Sequence, residues 1–386
     1  MRDDRGMDFG VYVHVPFCAR ACGYCDFAKW TDRAHLTDAY VEACCVDVER
    51  RVATGELAPA TSVFFGGGTP SLLPPRSLVR ILDAIPRARD AEVTVECNPD
   101  TVDPEKLATY RAGGVTRLSF GVQSMQPHVL TALGRTHDPE NVTRSVAWAR
   151  DAGFDTFNVD IIYGTPGESI GDWQATLEGV LALAPPHVSV YALTVEPSTP
   201  LGRSVAAGAP APSDDDQATK YELADDLLAA AGLGWYEVSN WARPGHRCLH
   251  NLLTWAGGDY APVGCAAHGH RQGRRWWNVR TPERYIERVR RGLDPEAAHE
   301  IVDGRDEEVL TLALRTRDGA AIPHAAAREA RALAADGLLE LDRGRVVLTR
   351  RGRLLATAVT ARLLVALGES GDFEALAAPA AGTRYD

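Results

Sequence analysis

The sequence of 386 residues predicts an α/β fold in which a partial (β/α)6 barrel is followed by a small C-terminal winged-helix-like α+β domain. Between residues 11 and 245, six short apolar runs rich in β-branched residues alternate with segments of helical period, a pattern typical of parallel β/α units. From Ile301 onward the pattern changes to helices around one predicted hairpin. Six units are fewer than the eight that close a complete barrel, so a doubly wound open sheet is the structural alternative.

The strands and helices of the predicted barrel can be assigned in order along the chain. The strands are the runs VYVHVPF, TSVFFGG, AEVTVECN, TRLSFGVQ, FNVDIIYG and HVSVYALTV. The helices are predicted at residues 36–52, 77–85, 104–112, 139–152, 171–184 and 214–231. Asp103 and Asp138 each precede a proline, and Ser213 precedes the last of these helices, so all three are expected to act as helix caps.

We divide the chain into a barrel core over 1–245, a linking segment over 246–300 and a small domain over 301–386. In the small domain, DEEVLTLALRTR and PHAAAREARALAADG are predicted helices, LLELDRGRVVLT is a predicted hairpin across Arg343 and Gly344, and RRGRLLATAVTARLLVAL is a predicted final helix. The stretch RRGR is basic, as in winged helices that bind DNA, but this fold is also widely used for packing. GAPAPSDDD is a predicted loop, and the tail AAPAAGTRYD is expected to be disordered.

Charge and hydropathy exclude several classes of protein. The formal net charge is -11, which argues against a dedicated nucleic-acid binder because no strong basic field is available. The start, MRDDRGMDFG, lacks the apolar core of a signal peptide, and no apolar run reaches the roughly 18 residues of a membrane span. We therefore expect a cytoplasmic protein, whose eight cysteines stay reduced.

Three of these cysteines lie within eight residues, in the stretch VHVPFCARACGYCDF. A structural zinc site closes with four ligands, and a thioredoxin-like pair would leave Cys18 without a role beside Cys22 and Cys25. Three thiolates on a four-iron cluster would leave one iron open, and an open position is what a catalytic metal site keeps for its substrate. Gly23 suits a loop that wraps tightly around a bulky inorganic group.

Polar residues or glycines also stand at the ends of five further predicted strands, where a β/α barrel places its functional residues. The glycines of GGGTP would let the backbone approach a ligand closely. Asp160 stands in an otherwise apolar run, and a buried carboxylate is costly without a partner, so pairing with Arg135 is the structural alternative to a binding role. The candidates at these ends are Gly66, Gly67, Gly68, Thr69, Pro70, Glu96, Gln123, Arg135, Asp160, Tyr191 and Ala192.

The spacing Cys-x3-Cys-x2-Cys after the first strand of a β/α repeat resembles the radical S-adenosylmethionine (SAM) superfamily. The resemblance implies a [4Fe-4S] cluster held by Cys18, Cys22 and Cys25, with SAM chelating the open iron through its amino and carboxylate groups. Longer pieces, among them FFGGGTPSLL, VECNPD, LSFGVQS and VYALTVEPSTPL, resemble the oxygen-independent coproporphyrinogen oxidase family over nearly the whole chain. Carried over by position, the SAM-binding residues would be Tyr12, Tyr24, Gly67, Gly68, Thr69, Glu96, Gln123, Arg135, Asp160 and Ala192.

Two short stretches point to one branch of that family, the HemW-type haem chaperones. The dehydrogenase branch continues its cluster motif as Cys-x-Cys, whereas this chain has Phe27 at the corresponding place, in CDF. The stretch HNLLTW resembles the His-Asn-x-x-Tyr-Trp motif of the chaperones, with Thr254 in place of the tyrosine. His250 could then ligate haem iron and Trp255 could stack on the porphyrin. The alternatives are that His250 only packs in its loop, or that another nearby residue is the ligand; these are Cys248, His268 and His270.

The sequence therefore predicts a haem chaperone that binds a [4Fe-4S] cluster, SAM and haem, receives an electron from a donor, and delivers haem to acceptor proteins. It is expected to lack coproporphyrinogen dehydrogenase activity and to bind no nucleic acid. A SAM-dependent porphyrinogen-processing enzyme is the first alternative, and a winged-helix regulator with a redox cluster is the second. Cleavage of SAM, peripheral membrane contact and a monomeric or dimeric state all stay open at this point.

Overall fold

The computed structural model describes residues 8–135, 138–302, 305–342 and 344–368 of the chain. Within those residues, twelve strands form one large sheet and three strands form a second, smaller sheet. Across the same ranges, no helix combines the length and the apolar character that a membrane crossing requires.

The centre of the large sheet consists of six parallel strands that neighbour one another in chain order. They are β1 (Phe9–Val15), β2 (Ala60–Gly67), β3 (Arg87–Cys97), β4 (Arg117–Gln123), β5 (Phe157–Tyr163) and β6 (His187–Ala192). The helices of this part are α1 (Thr37–Ala53), α2 (Pro75–Ala84), α3 (Pro104–Ala112), α4 (Pro127–Ala132), α5 (Pro139–Asp151), α6 (Ile170–Ala182), α7 (Pro200–Ala206) and α8 (Asp214–Ala230). The six predicted β/α units are thereby confirmed, and the short helices α4 and α7 are additional.

Local signals account for the starts of several of these helices. Asp103 accepts a hydrogen bond from the backbone N–H of Lys106 at the start of α3, and Asp138 accepts one from Glu140 at the start of α5. Ser213 does the same at α8 by accepting from the N–H of Asp216. These caps satisfy backbone donors that have no partner inside the helix, which is why the sequence could place them.

Strands on both sides extend the six-stranded centre. On one side lie β7 (Gly234–Glu237) and β8 (Asn240–Ala242), with β8 antiparallel to β6. After α9 (Leu249–Trp255), the chain forms β9 (Asp259–Val263), β10 (His268–Arg271), β11 (Arg274–Asn278), α10 (Pro282–Arg290) and β12 (Glu296–Ile301). Strand β9 runs parallel to β1, and β10, β11 and β12 continue the sheet in antiparallel pairs.

The predicted linking segment 246–300 thus contributes strands to the large sheet, which the sequence did not indicate. These strands are short and carry histidine, arginine and tryptophan, as in HGHR and RRWWN, so they lack the apolar β-branched pattern of the central strands. Their strand character comes from pairing with neighbours. The exact division of the chain at residue 245 stays a prediction.

The C-terminal part has its own small hydrophobic core, built around Leu314, Leu333, Val346 and Leu363. Its elements are α11 (Arg305–Ala313), β13 (Ala320–Ala321), α12 (Ala327–Ala335), β14 (Leu339–Asp342), β15 (Arg345–Leu348), α13 (Arg350–Leu354) and α14 (Ala356–Gly368). The predicted helices and hairpin are present, but the predicted final helix is divided into α13 and α14. Arg343 in the hairpin turn and the tail 377–386 lie outside the described residues.

The basic stretch RRGR packs the C-terminal part against the barrel. Arg353 forms a bidentate ion pair with Asp225 of α8, at 2.7 and 3.1 Å. Its guanidinium lies 4.5 Å from the ring centre of Trp235. Arg350 donates to Asp226 of the same helix at 2.6 Å. Two of the basic side chains that could suggest DNA binding are therefore engaged within the chain, which agrees with the packing role considered for this fold.

A buried ion pair joins α8 to the loop after β5. The ammonium of Lys220, which is fully buried, lies 3.1 Å from a carboxylate oxygen of Glu168 and 2.7 Å from one of Asp216. Glu168 in turn accepts a hydrogen bond from the backbone N–H of Gly164. Because both charges are inside the protein, Glu168 depends on Lys220 for compensation, whereas Lys220 is compensated by Glu168 and Asp216 together.

Replacing Lys220 with methionine should leave the Glu168 carboxylate buried without its cation. We expect Lys220→Met to lower the free energy of unfolding by about 3–5 kcal/mol, measured by urea denaturation with circular dichroism. The double variant Lys220→Met, Glu168→Gln is the control, because it removes both charges and should recover most of the loss. If Lys220→Met alone behaved like a surface substitution, within about 0.5 kcal/mol, the pair would not have the role assigned to it.

Candidate functional site

A cavity of about 600 Å³ opens at the ends of the central parallel strands, where the sequence analysis expected the functional residues. Its lining includes all three clustered cysteines and every predicted SAM-binding residue except Tyr12, which lies behind the wall. These lining residues are Cys18, Cys22, Tyr24, Cys25, Gly67, Gly68, Thr69, Glu96, Gln123, Arg135, Asp160 and Ala192. The fold therefore brings together residues that lie up to 174 positions apart (Cys18 to Ala192).

The loop that carries the cysteines is fastened at its base and at its middle. Phe17 and Trp30 form a β-bridge, and the N–H of Cys18 donates to the carbonyl of Trp30 at 3.0 Å. At the middle, the carbonyl of Gly23 accepts from the N–H of Leu201 at 2.9 Å. These backbone bonds hold the loop over the cavity without using the thiols.

All three thiols are free of disulfides and stay available as ligands. The sulfur of Cys18 lies 3.5 Å from the hydroxyl of Thr69, and burial raises the pKa of this thiol. The guanidinium of Arg135 approaches the sulfur of Cys22 at 3.8 Å. Among the described residues, no group of three or more His, Cys, Asp or Glu side chains could hold a single metal ion.

The glycines that follow β2 are required by close contacts. A Cβ on Gly67, whose φ is +109°, would come within 2.5 Å of the imidazole of His14. A Cβ on Gly68 would lie 2.7 Å from the carbonyl oxygen of Phe17 and 2.8 Å from that of Val15. The backbone here can therefore pass directly under the cysteine loop, while the predicted approach of these glycines to a ligand stays a prediction.

Tyr12 and His14 form a hydrogen-bonded chain behind the cavity wall. The Nε2 of His14 donates to the carbonyl of Ala28 at 2.7 Å, because a carbonyl can only accept. Its Nδ1 then accepts from the hydroxyl of Tyr12 at 3.2 Å, since burial lowers the pKa of His14 to about 4 and keeps the ring neutral. Tyr12 therefore supports the cysteine loop from β1 through His14, a residue that the sequence analysis did not select.

Glu96 is a partly buried carboxylate at the end of β3. One of its oxygens accepts a hydrogen bond from the backbone N–H of Gly67 at 3.1 Å. Burial, and then the nearby charge of Asp160, raise the pKa of Glu96 to about 8, while the bond from Gly67 opposes that rise. A cationic or hydrogen-bond-donating ligand group is therefore well matched to this position.

Asp160 is supported by polar neighbours on the strands. Ser119 donates to one carboxylate oxygen at 2.8 Å, and the amide of Asn158 donates to the other at 2.6 Å. Burial raises the pKa of Asp160, and these hydrogen bonds counteract that effect. The pair with Arg135, the structural alternative considered above, is not formed in the described part of the chain.

Arg135 instead turns its guanidinium toward the cysteine loop and the end of β4. It donates to the carbonyl of Gly121 at 2.5 Å, and its buried Nε has no partner among the described atoms. Gln123, at the end of the same strand, has a φ of +67°, a conformation that costs a non-glycine residue about 1–3 kcal/mol. Strain of this kind is often found where a side chain must point at a ligand.

The floor of the cavity is closed by α9, which carries the HNLLTW stretch. Partly buried Glu92 accepts hydrogen bonds from the N–H groups of Leu249 and His250, at 2.8 and 3.2 Å, and thereby caps the start of this helix. The Nδ1 of His250 lies 3.1 Å from the hydroxyl of Ser62, and this histidine is only 5% exposed. The side chain of Trp255 forms a hydrogen bond with Glu237.

Neither His250 nor Trp255 reaches the cavity surface, although Cys248 and Asn251 from the same stretch do. The structure thus brings together the predicted cluster and SAM residues but keeps the two predicted haem residues in the packing below them. Their assignment to haem stays a prediction.

Several cavity residues were missed by the sequence analysis. Arg117, which is buried, donates to the carbonyl of His246 at 2.9 Å and to the ring of His187. Four other polar residues stand two or four positions before a candidate at a strand end, so the period of two in a strand could have indicated that they share its face. They are Thr94, Ser119, Asn158 and Ser189.

The cavity residues fit the two cofactors that the cysteine motif implies. Thiolates are the ligands that iron–sulfur clusters use, and three of them line one cavity. The glycine backbone leaves no side chain between the cluster loop and the cavity, and the buried Nε of Arg135 is free to donate to a ligand. Cys18, Cys22 and Cys25 would hold the cluster, and the residues around Glu96 and Asp160 would hold SAM.

The raised pKa of Glu96 predicts a dependence of stability on pH in the cofactor-free chain. Its pKa rises from the usual 4.5 to about 8 on folding, so the folded chain retains a proton that the unfolded chain releases. The free energy of unfolding should therefore fall as the pH rises through this window, by up to about 1.4 kcal/mol for each pH unit. Urea denaturation across the window should show the fall in the wild-type chain and a weaker one in Glu96→Gln.

The control for this measurement is Glu105→Gln, because Glu105 is exposed on α3 and should leave the pH dependence unchanged. An equal pH dependence in the wild type and in Glu96→Gln would contradict the electrostatic account of this carboxylate.

Comparison with known proteins agrees with this geometry. The model of the Radical SAM superfamily matches residues 12–180. A protein named heme chaperone HemW from Mycobacterium tuberculosis (strain ATCC 25618 / H37Rv) is 44% identical over 373 residues, which cover 93% of this chain and 95% of the relative. Heme chaperone HemW from Escherichia coli (strain K12) is 39% identical and covers 67% of this chain and 69% of the relative.

Among solved structures, coproporphyrinogen III oxidase (HemN) from Escherichia coli, described as a radical SAM enzyme, superimposes with a TM-score of 0.80. The match covers 92% of this chain and 90% of that chain at 23% identity, so it bears on the fold alone. It confirms the predicted α/β barrel architecture. Together with the sequence identities, these matches confirm the resemblance, and the chain belongs to the HemW heme chaperone family within the radical SAM superfamily.

Proposed function

We propose that this chain is a haem chaperone that binds a [4Fe-4S] cluster, SAM and haem, and delivers the haem to acceptor proteins. The observation that carries the proposal is the meeting of three thiols and the predicted SAM residues in one cavity, in a chain whose relatives are named heme chaperones. An electron donor for the cluster and haem-accepting proteins are the partners that this function requires.

Cys18, Cys22 and Cys25 are proposed to be the cluster ligands, and the open iron is proposed to take SAM. A reduced cluster held there would supply an electron to the sulfonium of SAM. The residues of this chain contribute position and charge: Gly67 and Gly68 let the backbone pass directly under the cysteine loop. The carboxylates of Glu96 and Asp160 face the cavity, where they suit the amino group and ribose hydroxyls of SAM.

Phe27 supports the chaperone function over the dehydrogenase function. The dehydrogenase branch has a further cysteine at this position, whereas Phe27 lies at the cavity lining with 59% of its surface exposed. A large exposed aromatic side chain at the rim of a cavity is available for contact with a flat apolar ligand or a partner. We propose that this rim of the cavity is open to partners and carries no further ligand for the cluster.

The cluster assignment predicts the iron content of cysteine variants. Anaerobic reconstitution of Cys18→Ala, Cys22→Ala or Cys25→Ala should each give less than about a quarter of the wild-type iron, because two thiolates hold a four-iron cluster weakly. The measurement is iron and sulfide per chain, together with the visible absorption spectrum. Cys45→Ala is the matched control, since this buried cysteine on α1 lies outside the cavity and should keep the full iron content. Full iron in any of the three loop variants would contradict the ligand set.

The chaperone function predicts no conversion of coproporphyrinogen III. The reconstituted protein, given SAM and dithionite under anaerobic conditions, should form no decarboxylated product above the control without protein. Product analysis by chromatography tests this, with hemin binding to the same preparation as the positive measurement. Repeated turnover would contradict the chaperone proposal and favour the porphyrinogen-processing alternative. Failure to bind hemin would also contradict the chaperone proposal.

A further inference from the structure

The inner end of the cavity is a polar pocket inside the barrel, which we call the floor subsite. Its lining residues are Thr94 of β3, Arg117 of β4, His187 of β6, and Cys248 and Asn251 of α9. Thr94 stands two positions before Glu96, so the subsite lies about 7 Å deeper in the barrel than that carboxylate. The interior of a β/α barrel is usually filled by bulky branched side chains, so polar side chains around open space at this depth indicate a ligand.

Arg117 is a buried cation without an ion pair. Its side chain lines the cavity although the residue is only 1% exposed, and no carboxylate of the described ranges forms an ion pair with it. Its hydrogen bonds go to the carbonyl of His246 and to the ring of His187, which is neutral because burial lowers its pKa well below the usual value. A buried charge is costly unless it is paired, so Arg117 is suited to an anion that a ligand supplies.

Two carboxylates that interact with the charge of Arg117 have their hydrogen bonds elsewhere. Glu92 accepts from the N–H groups at the start of α9, and Asp160 accepts from Ser119 and Asn158. Burial raises the pKa of both carboxyl groups, and the charge of Arg117 opposes that rise. Neither carboxylate is close enough to form an ion pair, so both leave the guanidinium open to a third.

Thr94 adds a hydrogen-bond donor beside Arg117. It is 1% exposed, and its hydroxyl has no partner in the part of the chain that the structure describes. It stands directly opposite Arg117 where β3 pairs with β4. An unpaired buried hydroxyl is unfavourable, and a guanidinium with a hydroxyl at its side can hold one carboxylate between them.

Among the ligands of the proposed function, on which this inference rests, haem carries the carboxylate that suits the floor subsite. The cluster has no carboxylate, and SAM would use its own at the open iron. Haem has two propionates, each a slender arm that can enter a narrow pocket. Cys248 and Asn251 bring the subsite next to α9, the helix that carries the HNLLTW stretch.

We propose that Arg117 and Thr94 bind a haem propionate at the floor of the cluster cavity. Arginine has five N–H donors, and the two hydrogen bonds of Arg117 leave others for the carboxylate. The propionate compensates the buried cation, and the hydroxyl of Thr94 gains the partner that it lacks. Haem binding then depends on a free carboxylate as well as on the ligand of the iron.

The test is a titration of the full-length, cluster-reconstituted chain with hemin and, separately, with hemin dimethyl ester, followed by difference absorption. The wild-type chain should bind hemin about tenfold or more tightly than the diester, because the diester brings no charge to Arg117. Arg117→Met should raise the Kd for hemin by about the same factor and leave the Kd for the diester unchanged. A residue with only a structural role would affect both ligands alike.

Thr94→Val provides a second variant that does not depend on the folding of Arg117→Met. It replaces an unpaired hydroxyl with a methyl group of similar size, so circular dichroism should show a wild-type fold. Its Kd for hemin should rise several-fold, again without a change for the diester. The matched control is Arg111→Met, because Arg111 is exposed on α3 outside the cavity and should leave both Kd values unchanged.

Equal binding of hemin and its diester by the wild type would overturn the proposal while leaving the chaperone function intact. A wild-type Kd for hemin in folded Arg117→Met or Thr94→Val would do the same. A weaker affinity of Arg117→Met for SAM, with hemin binding unchanged, would also overturn it, because the bound carboxylate would then be that of SAM. Absence of hemin binding in the wild-type chain would instead overturn the proposed function itself, so the two failures are distinguishable.

Discussion

The close contact between Gly68 and the end of β1 is the constraint on which the cavity depends. The N–H of Gly68 donates to the carbonyl of Val15 at 2.7 Å, and no side chain would fit between Gly68 and the carbonyl oxygen of Phe17. This backbone contact sets Thr69 beside Cys18 and lets Gly67 donate to the carboxylate of β3. Residues from three separate strands thus acquire their relative positions from main-chain packing, which is far stiffer than contacts between exposed side chains.

The inner face of the barrel is polar, and its two carboxylates suit a positively charged ligand. Glu96 and Asp160 both lie inside the cavity, and the charge of Asp160 makes ionisation of Glu96 less favourable. Hydrogen bonds from Ser119, Asn158 and Gly67 offset only part of this cost. A ligand that brings a positive group between the two carboxylates would offset the rest. The cofactor-free cavity is accordingly less stable, in electrostatic terms, than one that holds a cationic ligand.

The central β/α units could be predicted because their signals are local: β-branched runs, helix caps and the cysteine spacing all lie within short stretches. Strands β9 to β12 could not, because they are defined by pairing with distant strands. Contacts between distant residues were also what the sequence could not predict at the candidate site. Residues at strand ends were found by their position, whereas the hydrogen bond between His250 and Ser62 could not be, because the two residues are 188 positions apart. The neighbours that decide whether a histidine is free or packed cannot be seen in the sequence around it.

Helix α8 is held by contacts at three points along its length. Near its C-terminal end, Asp225 is clamped by Arg353 of the C-terminal domain. Near its start, Gln217 donates to the carbonyl of Leu193 at 2.9 Å, a residue of the cavity lining. Between them, Lys220 is bonded to the loop after β5. One helix thus connects the C-terminal part of the chain with a residue of the cavity lining, over about 12 Å of helix axis.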